Sequence, residues 1–413
     1  MLRILTIILF LAVNNLLAGE YYLKPKAYLD IESGKFIFKK LIKIKDEKII
    51  AIVDEDQKKI EKNKVVKLED LYLVPGFIDC HTHVLLTQTI EDQSLENALE
   101  RESKLDDEFR IKRSLNFLKD YLRAGFTSLC EMGNSGQFLD YKLKLITADK
   151  KEYPSLFISG PGLATGKAQF KTVSSLERVK KEYNLITNES DFNLILKEYI
   201  YKKIDILKIY LDNSPGNGSL DESILKKIIQ SPYLSHFKKV TYHATTLPAF
   251  QLALKFNLKS LEHFYSYQMN EDSLAQFEYI TPTDLDRETL MLFNLYHKVF
   301  FDNQINRLKL LKRNHINIVF GSDLYFHKTS ALFDRGYHAK KSISNYIEAG
   351  FQPLEILKIL SLNPAKSLKQ TEQIGAIKVN AHANILGFKT NPLENILGIL
   401  ERPLVINKGE VLK

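Results

Sequence analysis

Between residues 74 and 370, short apolar segments with a strand pattern alternate with amphipathic segments of helical pattern, and this alternation constrains the fold most. Strands that alternate with helices favour a parallel sheet, and eight such units favour a closed barrel. The sequence therefore predicts an α/β protein with a (β/α)8 barrel of the TIM type. The predicted strands are Gly76–Cys80, Thr127–Cys130, Leu156–Ser159, Ile204–Tyr210, Lys239–His243, Ser260–His263, Tyr279–Thr283 and Asn317–Gly321.

The seventh strand has an alternative, because Lys298–Asp302 carries a similar apolar pattern. Helices are predicted between the strands, since apolar residues recur there with helical spacing. They include Asp106–Ala124, Asp191–Lys203, Pro248–Phe256 and Glu288–Asn314.

Both ends of the mature chain have the pattern of short strands. Leu41–Val53 alternates apolar and charged residues around a turn, and Ala383–Phe388 and Pro403–Asn407 have strand patterns. A chain of 413 residues accommodates a barrel of about 250 residues and one smaller domain. The sequence therefore predicts a small β-sandwich made from residues 20–73 and 371–413, flanking a barrel at 74–370.

The first residues have the organisation of a secretory signal peptide. Arg3 is followed by an almost entirely apolar stretch from Leu5 to Leu17, which ends at Ala18-Gly19. This stretch is too short to span a bilayer comfortably. We therefore expect a signal peptide at residues 1–19, an exported protein, periplasmic or secreted, and no stable membrane insertion once the peptide is removed. The alternative is an uncleaved anchor.

The net charge of +8 does not indicate a nucleic-acid partner, because the basic residues are scattered and form no run of five or more. A small-molecule substrate is the expected partner, and whether the chain is a monomer or a homo-oligomer stays open. The two cysteines, Cys80 and Cys130, are either a disulfide pair of an exported protein or two small buried residues.

The strongest chemical signal is the His-X-His pair at the end of the first predicted strand. Residues i and i+2 of a strand face the same side, so His81 and His83 are predicted to point into the barrel together. Active sites of such barrels lie at the carboxyl ends of the strands. Paired imidazoles there suit Zn²⁺ or a similar metal ion.

Other strand ends carry further ligand-type residues, in barrel order. A lysine inside an otherwise apolar strand is costly unless it is modified, paired or neutral. Together with the His-X-His pair, these residues predict a metal site built from five strands. They are Lys208, His243, His263 and Asp323.

With these residues the chain resembles the amidohydrolase superfamily, close to imidazolonepropionase-like proteins and metal-dependent Xaa-Pro dipeptidases. The similarity covers nearly the whole mature chain. The segments that carry it include Pro75–His83, Ala124–Ser128, Asn363–Ala365, Gly375–Ile377 and Asn391–Ile396. The chain departs from the family pattern at Gly160–Lys167, Glu131–Gly133 and Ala383–Ile385, and the first of these bears on the substrate pocket.

The resemblance implies a role for each ligand-type residue. His81, His83 and Asp323 would hold one of two divalent ions, expected to be zinc, and His243 and His263 the other. Lys208 would be carboxylated by CO₂ to a carbamate that bridges both ions. Asp323 and Lys208 are thus the expected catalytic residues, with Asp323 as general base for a metal-activated hydroxide.

The function implied is hydrolysis of amide or peptide C–N bonds, by a dipeptidase or an N-acyl amino acid hydrolase. Cyclic-amide hydrolysis, lactone hydrolysis and deamination use the same ligands and stay open, and a catalytically inactive binding protein is the alternative from another class. Aromatic residues just past the strand ends are candidates for substrate contacts, although simple packing explains each of them too. They are Tyr210, Tyr265, Tyr325 and His327.

Overall fold

The computed structural model describes residues 19–56, 60–166, 168–170, 176–186, 188–213, 219–263, 271–328 and 333–412. Apart from Gly19, the predicted signal peptide lies outside the described residues. The signal peptide and the export of the protein stay predictions. Among the helices within these ranges, none combines the length and the apolarity needed to cross a membrane.

The strands are described first, in chain order. They are β1 (Glu20–Asp30), β2 (Lys35–Phe38), β3 (Lys40–Lys45), β4 (Lys48–Asp54), β5 (Val65–Pro75), β6 (Phe77–Thr82), β7 (Phe126–Glu131), β8 (Ser155–Ile158), β9 (Gly162–Ala164), β10 (Tyr183–Leu185), β11 (Ile206–Tyr210), β12 (Lys239–Ala244), β13 (Ser260–His263), β14 (Tyr279–Thr281), β15 (Asn317–Ile318), β16 (Ile385–Phe388), β17 (Leu404–Asn407) and β18 (Glu410–Leu412).

The helices follow between and after the barrel strands. They are α1 (Leu95–Ser103), α2 (Asp107–Ala124), α3 (Leu139–Thr147), α4 (Leu176–Glu182), α5 (Glu189–Tyr201), α6 (Glu222–Ile229), α7 (Leu247–Lys255), α8 (Arg287–Leu292), α9 (Lys298–Arg313), α10 (Arg335–Lys341), α11 (Ile343–Glu348), α12 (Pro353–Leu360) and α13 (Leu362–Ser367).

Within the described part of the chain, β6–β8 and β11–β15 form a ring of eight parallel strands. Backbone hydrogen bonds close both gaps between the two sheets: Asp205 N–H donates to the Ile158 carbonyl at 3.0 Å, and Cys80 N–H to the Phe320 carbonyl at 2.8 Å. The barrel predicted from the sequence is therefore confirmed. Strands β9 and β10, which were not predicted, extend the sheet in parallel beside β11.

In the second half of the barrel, the structure confirms the predicted seventh strand and corrects one predicted helix. The seventh strand is Tyr279–Thr281, whereas its alternative, Lys298–Asp302, begins helix α9. The single helix predicted at Glu288–Asn314 is two helices, α8 and α9. Asn294 adopts the left-handed conformation with φ of 57° directly after α8, which ends that helix, and asparagine tolerates this conformation better than most residues.

Both ends of helix α2 follow simple local rules. Asp106 caps α2 by accepting hydrogen bonds from the amides of Glu108 and Phe109, and Gly125 ends the helix with φ of 106°. The strand that follows, β7, is buried along its whole length, as expected for a parallel strand covered on both faces.

Both chain ends build one further sheet, in which β1–β5 and β16–β18 are hydrogen-bonded together. Its core contains Tyr21, Leu23, Ile42, Ile385 and Ile406, all buried. Two backbone hydrogen bonds join the β3–β4 hairpin to the segment before β16: Ile49 N–H donates to the Ala381 carbonyl, and Ala383 N–H donates to the Glu47 carbonyl. Both termini therefore contribute to one sheet with a core of its own, as expected from the strand patterns at the two ends. The division of the chain into a β-sandwich at residues 20–73 and 371–413 stays a prediction.

An apolar layer fills the barrel beneath the carboxyl ends of its strands. It contains Ile78, Cys80, Cys130, Ile206 and Val319. The two cysteines are buried free thiols on neighbouring strands, with their sulfur atoms 3.3 Å apart. This apolar layer lies beneath His81, Lys208 and the other ligand-type side chains at the strand ends.

Candidate active site

The His-X-His pair lies at the carboxyl end of β6, and a hydrogen bond orients each ring. The Nδ1–H of His81 donates to Oε2 of Glu262 at 2.7 Å, and the Nδ1–H of His83 donates to the carbonyl oxygen of Gly133 at 2.8 Å. Both histidines are buried. Because Nδ1 is used in this way, Nε2 of each ring carries the lone pair that a metal ion needs.

Lys208 and Asp323 meet the two histidines from other strand ends. The Nζ of Lys208, on β11, lies 3.3 Å from Nε2 of His81. Oδ1 of Asp323 lies 3.2 Å from Nε2 of His83 and 3.7 Å from Nε2 of His81. Asp323 follows β15 in the left-handed conformation, with φ of 49°, and its N–H donates to the His81 carbonyl at 2.7 Å. That strained backbone aims the carboxylate at the histidines.

His243 and His263 complete the group from β12 and β13. Their ring centroids are 4.3 Å apart, and that of His263 is 4.7 Å from that of His81. Nδ1 of His263 is 3.0 Å from Oγ1 of Thr283, which fixes this ring. Nδ1 of His243 is buried and has no hydrogen-bond partner among the described residues. The structure thus brings the six predicted ligand-type residues together, although they come from five separate segments of the sequence.

The spacing of these atoms fits a metal site. A zinc ion with bonds of about 2.1 Å in tetrahedral geometry separates its ligands by about 3.4 Å. Three contacts have similar lengths: Lys208 Nζ to His81 Nε2 is 3.3 Å, and Asp323 Oδ1 is 3.7 Å from His81 Nε2 and 3.2 Å from His83 Nε2. Oδ1 of Asp323 is buried and accepts no hydrogen bond from the described residues, and ligand atoms of His81, His263 and Asp323 lie within 4.8 Å of one another.

Burial sets the protonation of the same groups. It lowers the pKa of His81, His243 and His263 well below the usual value, and the charge of Lys208 lowers each further. The imidazoles are therefore neutral near pH 7, which is the form that binds metal. Burial also lowers the pKa of Lys208 to about 8, so that a neutral amine is accessible at this position.

A buried ion pair that sequence reasoning missed supports His81. Glu262 accepts hydrogen bonds from Nζ of Lys239 at 2.8 Å and from Oγ1 of Thr241 at 2.6 Å, in addition to that from His81. Burial alone would raise the pKa of Glu262, but the lysine charges outweigh it and lower the pKa. The alternation of Lys239, Thr241 and His243 on one strand was the available signal, because these residues share a face.

Glu262→Gln is expected to lower the free energy of unfolding by about 3–5 kcal/mol, since the buried ammonium of Lys239 loses its counter-ion. Metal affinity is expected to fall by about 10–100-fold because His81 loses its charged partner. Urea unfolding and chelator competition measure the two effects. Adding Lys239→Met to Glu262→Gln should restore much of the stability but not the metal affinity, and equal recovery of both would contradict this division of roles.

The departure at Glu131–Gly133 positions His83. The side chain of Glu131 accepts hydrogen bonds from the amides of Val84 at 2.7 Å and of Leu85 at 3.2 Å, directly after the histidine. Gly133 supplies the carbonyl that orients its ring. These residues stabilise the turn after β6. The departure from the family pattern therefore affects residues that support His83 and not a predicted metal ligand.

Asp212 is a second residue that the sequence did not point out. Its Oδ2 accepts hydrogen bonds from the amides of Thr245 and Thr246, at 2.9 and 2.7 Å. Oδ1 lies 3.5 Å from Nε2 of His243. The fixed carboxylate therefore holds Nε2 of His243 on its own side. No local pattern marks this residue, because the contact forms only once β11 and β12 pair.

A cavity of about 300 Å³ opens in front of the cluster, and two of the residues predicted to contact substrate line it. Tyr210 lies with its ring centroid 4.7 Å from that of His243, and Tyr325 follows Asp323. His327 instead packs against Phe117 and Phe333, with ring centroids 5.1 and 5.9 Å away. The fourth of these residues, Tyr265, lies outside the described residues. Further lining side chains are Asn134, Gln169, Asn213 and Glu96.

Comparison with known proteins agrees with this geometry. The sequence profile of the amidohydrolase family matches residues 72–411, which is most of the chain. No curated protein matches the sequence significantly. Because the family profile covers most of the chain, the chain belongs to the amidohydrolase family and is a hydrolase.

Several crystal structures share the fold. One amidohydrolase is 20% identical with a TM-score of 0.79, and the match covers 95% of this chain and 98% of the other. A prolidase complexed with N-methylphosphonate-L-proline is 21% identical, with a TM-score of 0.79 and coverage of 95% and 99%. A Xaa-Pro dipeptidase with methionine bound in its active site is 18% identical, with a TM-score of 0.78 and coverage of 96% and 100%. At these identities the likeness establishes the fold.

Proposed function

We propose that this protein hydrolyses the amide bond of dipeptides or N-acyl amino acids with the help of two divalent metal ions, expected to be zinc. The observation that supports it most is the convergence of four buried histidines, a lysine and an aspartate at one end of the barrel, facing a cavity of about 300 Å³. Structural neighbours described as prolidases and as a Xaa-Pro dipeptidase support the choice of substrate class.

In this proposal His81, His83 and Asp323 hold one ion and His243 and His263 the other. Lys208 would contribute as a carbamate, because a neutral buried amine reacts with CO₂ and releases a proton, and the resulting anion would help hold both ions. When bound, the ions supply an activated water molecule and polarise the scissile carbonyl group.

The residues of the chain itself provide positioning and proton transfer. Asp323 lies beside the cluster and at the cavity wall, where its carboxylate takes a proton and delivers it to the leaving nitrogen. Tyr210 and the side-chain amides that line the cavity offer hydrogen bonds to the polar groups of a substrate. Burial of the cluster excludes bulk water and strengthens each of these electrostatic interactions.

The experiment that tests the proposal is a substrate panel. Purified protein loaded with zinc and bicarbonate is incubated with dipeptides and N-acyl amino acids, and release of free amino acid is measured. Turnover of at least one compound, lost on chelation, is expected. If the loaded protein cleaves none of them but opens cyclic amides or lactones, or releases ammonia from an amine, one of the related reactions replaces the proposal.

Metal content gives an independent test against an inactive binding protein. His81→Ala is expected to reduce bound zinc from about two ions per chain by at least half, since it removes a ligand with a fixed orientation. His236→Ala, which changes an exposed histidine away from the cluster, is the matched control and should keep both ions. Elemental analysis decides, and a wild-type protein that binds no metal would argue for the binding protein.

A further inference from the structure

A second cavity adjoins the cluster on the side of helices α8 and α9. Its volume is about 340 Å³, and its wall includes Asp323 and Tyr325, which also line the first cavity. The two cavities therefore meet at the carboxylate that the proposed function uses for proton transfer. Apolar side chains dominate the rest of its wall: Leu285, Leu290, Leu295, Phe300 and Phe326.

The entrance of this second cavity is apolar as well. Leu295 and Phe300 are 41% and 44% exposed, and their neighbours Met291 and Val299 are 53% and 61% exposed. Leu295 and Phe300 both line the cavity and remain partly exposed, and exposed apolar side chains at a cavity are typical of binding sites. These two side chains connect the surface with the cavity, which favours an apolar ligand.

The first cavity is more polar than the second. Its wall carries the amide side chains of Asn134, Gln169 and Asn213 and the carboxylate of Glu96. Asp323 thus lies between the first cavity, here called the polar arm, and the second cavity, here called the apolar arm. An amide whose two halves differ in polarity fits this arrangement, because each half finds a matching wall when the scissile bond lies at Asp323.

We infer that the substrate carries one bulky apolar substituent, an aromatic ring or an alkyl chain of about six to eight carbons, which binds in the second cavity. This inference rests on the proposed amide hydrolysis and adds the substrate class. The size is adequate, because an apolar cavity of about 150 Å³ already accommodates benzene. Each methylene group transferred from water to such a site improves binding by about fourfold.

Three substrates that differ in one apolar group test the inference. N-octanoylglycine extends the acyl side and N-acetylphenylalanine the amine side of N-acetylglycine. We expect kcat/KM of at least one of the two to exceed that of N-acetylglycine by about 100-fold or more. If all three are hydrolysed within about threefold of one another, or N-acetylglycine is best, the apolar arm is overturned while the proposed function stands.

A charge at the entrance tests the location. Phe300→Asp is expected to reduce the preference for the apolar substrate over N-acetylglycine by at least about tenfold, because a carboxylate there must be desolvated. Leu194→Asp, at an apolar position 66% exposed on α5, is the matched control and should leave the preference unchanged. Equal effects of the two variants would place the apolar group elsewhere.

Binding of an inert ligand separates this inference from catalysis. The ketone 2-octanone has a carbonyl group like that of an amide substrate but no leaving nitrogen, so it can bind without being hydrolysed. Calorimetric titration of the metal-loaded protein measures its binding, and 2-butanone is the short-chain reference. We expect 2-octanone to bind at least about tenfold more tightly, and this preference to vanish in Phe300→Asp. If no amide is hydrolysed and this preference is present, only the proposed function fails. Equal affinity for the two ketones overturns the apolar arm.

Discussion

Lys208→Ala is expected to lower kcat/KM by at least about 10³-fold, because the site loses the anion proposed to lie between two cations, and such metal-assisted charge stabilisation contributes several kcal/mol. The structure gives the physical basis: the amine is buried, lies 3.3 Å from Nε2 of His81, and has a pKa lowered by burial to about 8. Steady-state kinetics and elemental analysis of the variant measure the loss of rate and of metal together.

Chemical rescue makes this prediction specific for a carbamate. Formate or acetate can occupy the space left by the side chain of Lys208 and supply a carboxylate there, so at least about tenfold recovery of the Lys208→Ala rate is expected at high concentration. Lys340→Ala is the control, because Lys340 is also a buried lysine. Its Nζ donates a hydrogen bond to the Glu401 carbonyl at 2.7 Å and contacts none of the six described ligand-type residues in this way. Its activity should be insensitive to the acids.

Two results would count against the carbamate. The first is a Lys208→Ala variant within tenfold of the wild-type rate. The second is an active protein whose NMR spectrum, recorded with isotopically labelled bicarbonate, lacks a carbamate carbon signal that depends on Lys208. In either case the lysine would act as a neutral amine or as a cation beside His81, and the ligand set would have to be completed by another group.

The barrel could be predicted from the sequence because its strands are short apolar runs with ligand-type residues at their carboxyl ends. Lys208 is the clearest example, since a lysine within an apolar strand has few explanations that are not chemical. His81 and His83 follow the period of two that brings both to one side of a strand. Such signals are local, so they are visible before any tertiary contact is known.

The supporting residues are different, because their roles arise from pairing between strands. Glu262 becomes the partner of His81 only when β13 and β6 enclose the same barrel interior, because Glu262 and His81 are 181 residues apart in sequence. Asp212 meets His243 across the β11–β12 pair. The break between α8 and α9 was also missed, because helical periodicity continues on both sides of Asn294 while the backbone turns there.

Asp323→Asn is expected to lower kcat by about 10²–10⁴-fold, the range associated with loss of a general acid–base group, with a smaller change in KM. The substitution preserves the shape of the side chain and removes its charge and its ability to carry a proton. Oδ1 of Asp323 lies 3.2 Å from Nε2 of His83 and borders both cavities, so the same change also reports on metal retention. Kinetics and metal content are therefore measured on the same preparation.

Asp79→Asn is the matched control, because Asp79 is a buried carboxyl close to the same cluster with a different task. It accepts hydrogen bonds from the amides of His81 and Ser322, and burial raises its pKa to about 7. An amide oxygen can accept the same hydrogen bonds, so we expect a loss of activity of less than about tenfold. If Asp323→Asn keeps its metal and loses no more rate than Asp79→Asn, the proton must travel by another group. The meeting point of the two cavities would then be a binding feature and not the centre of the reaction.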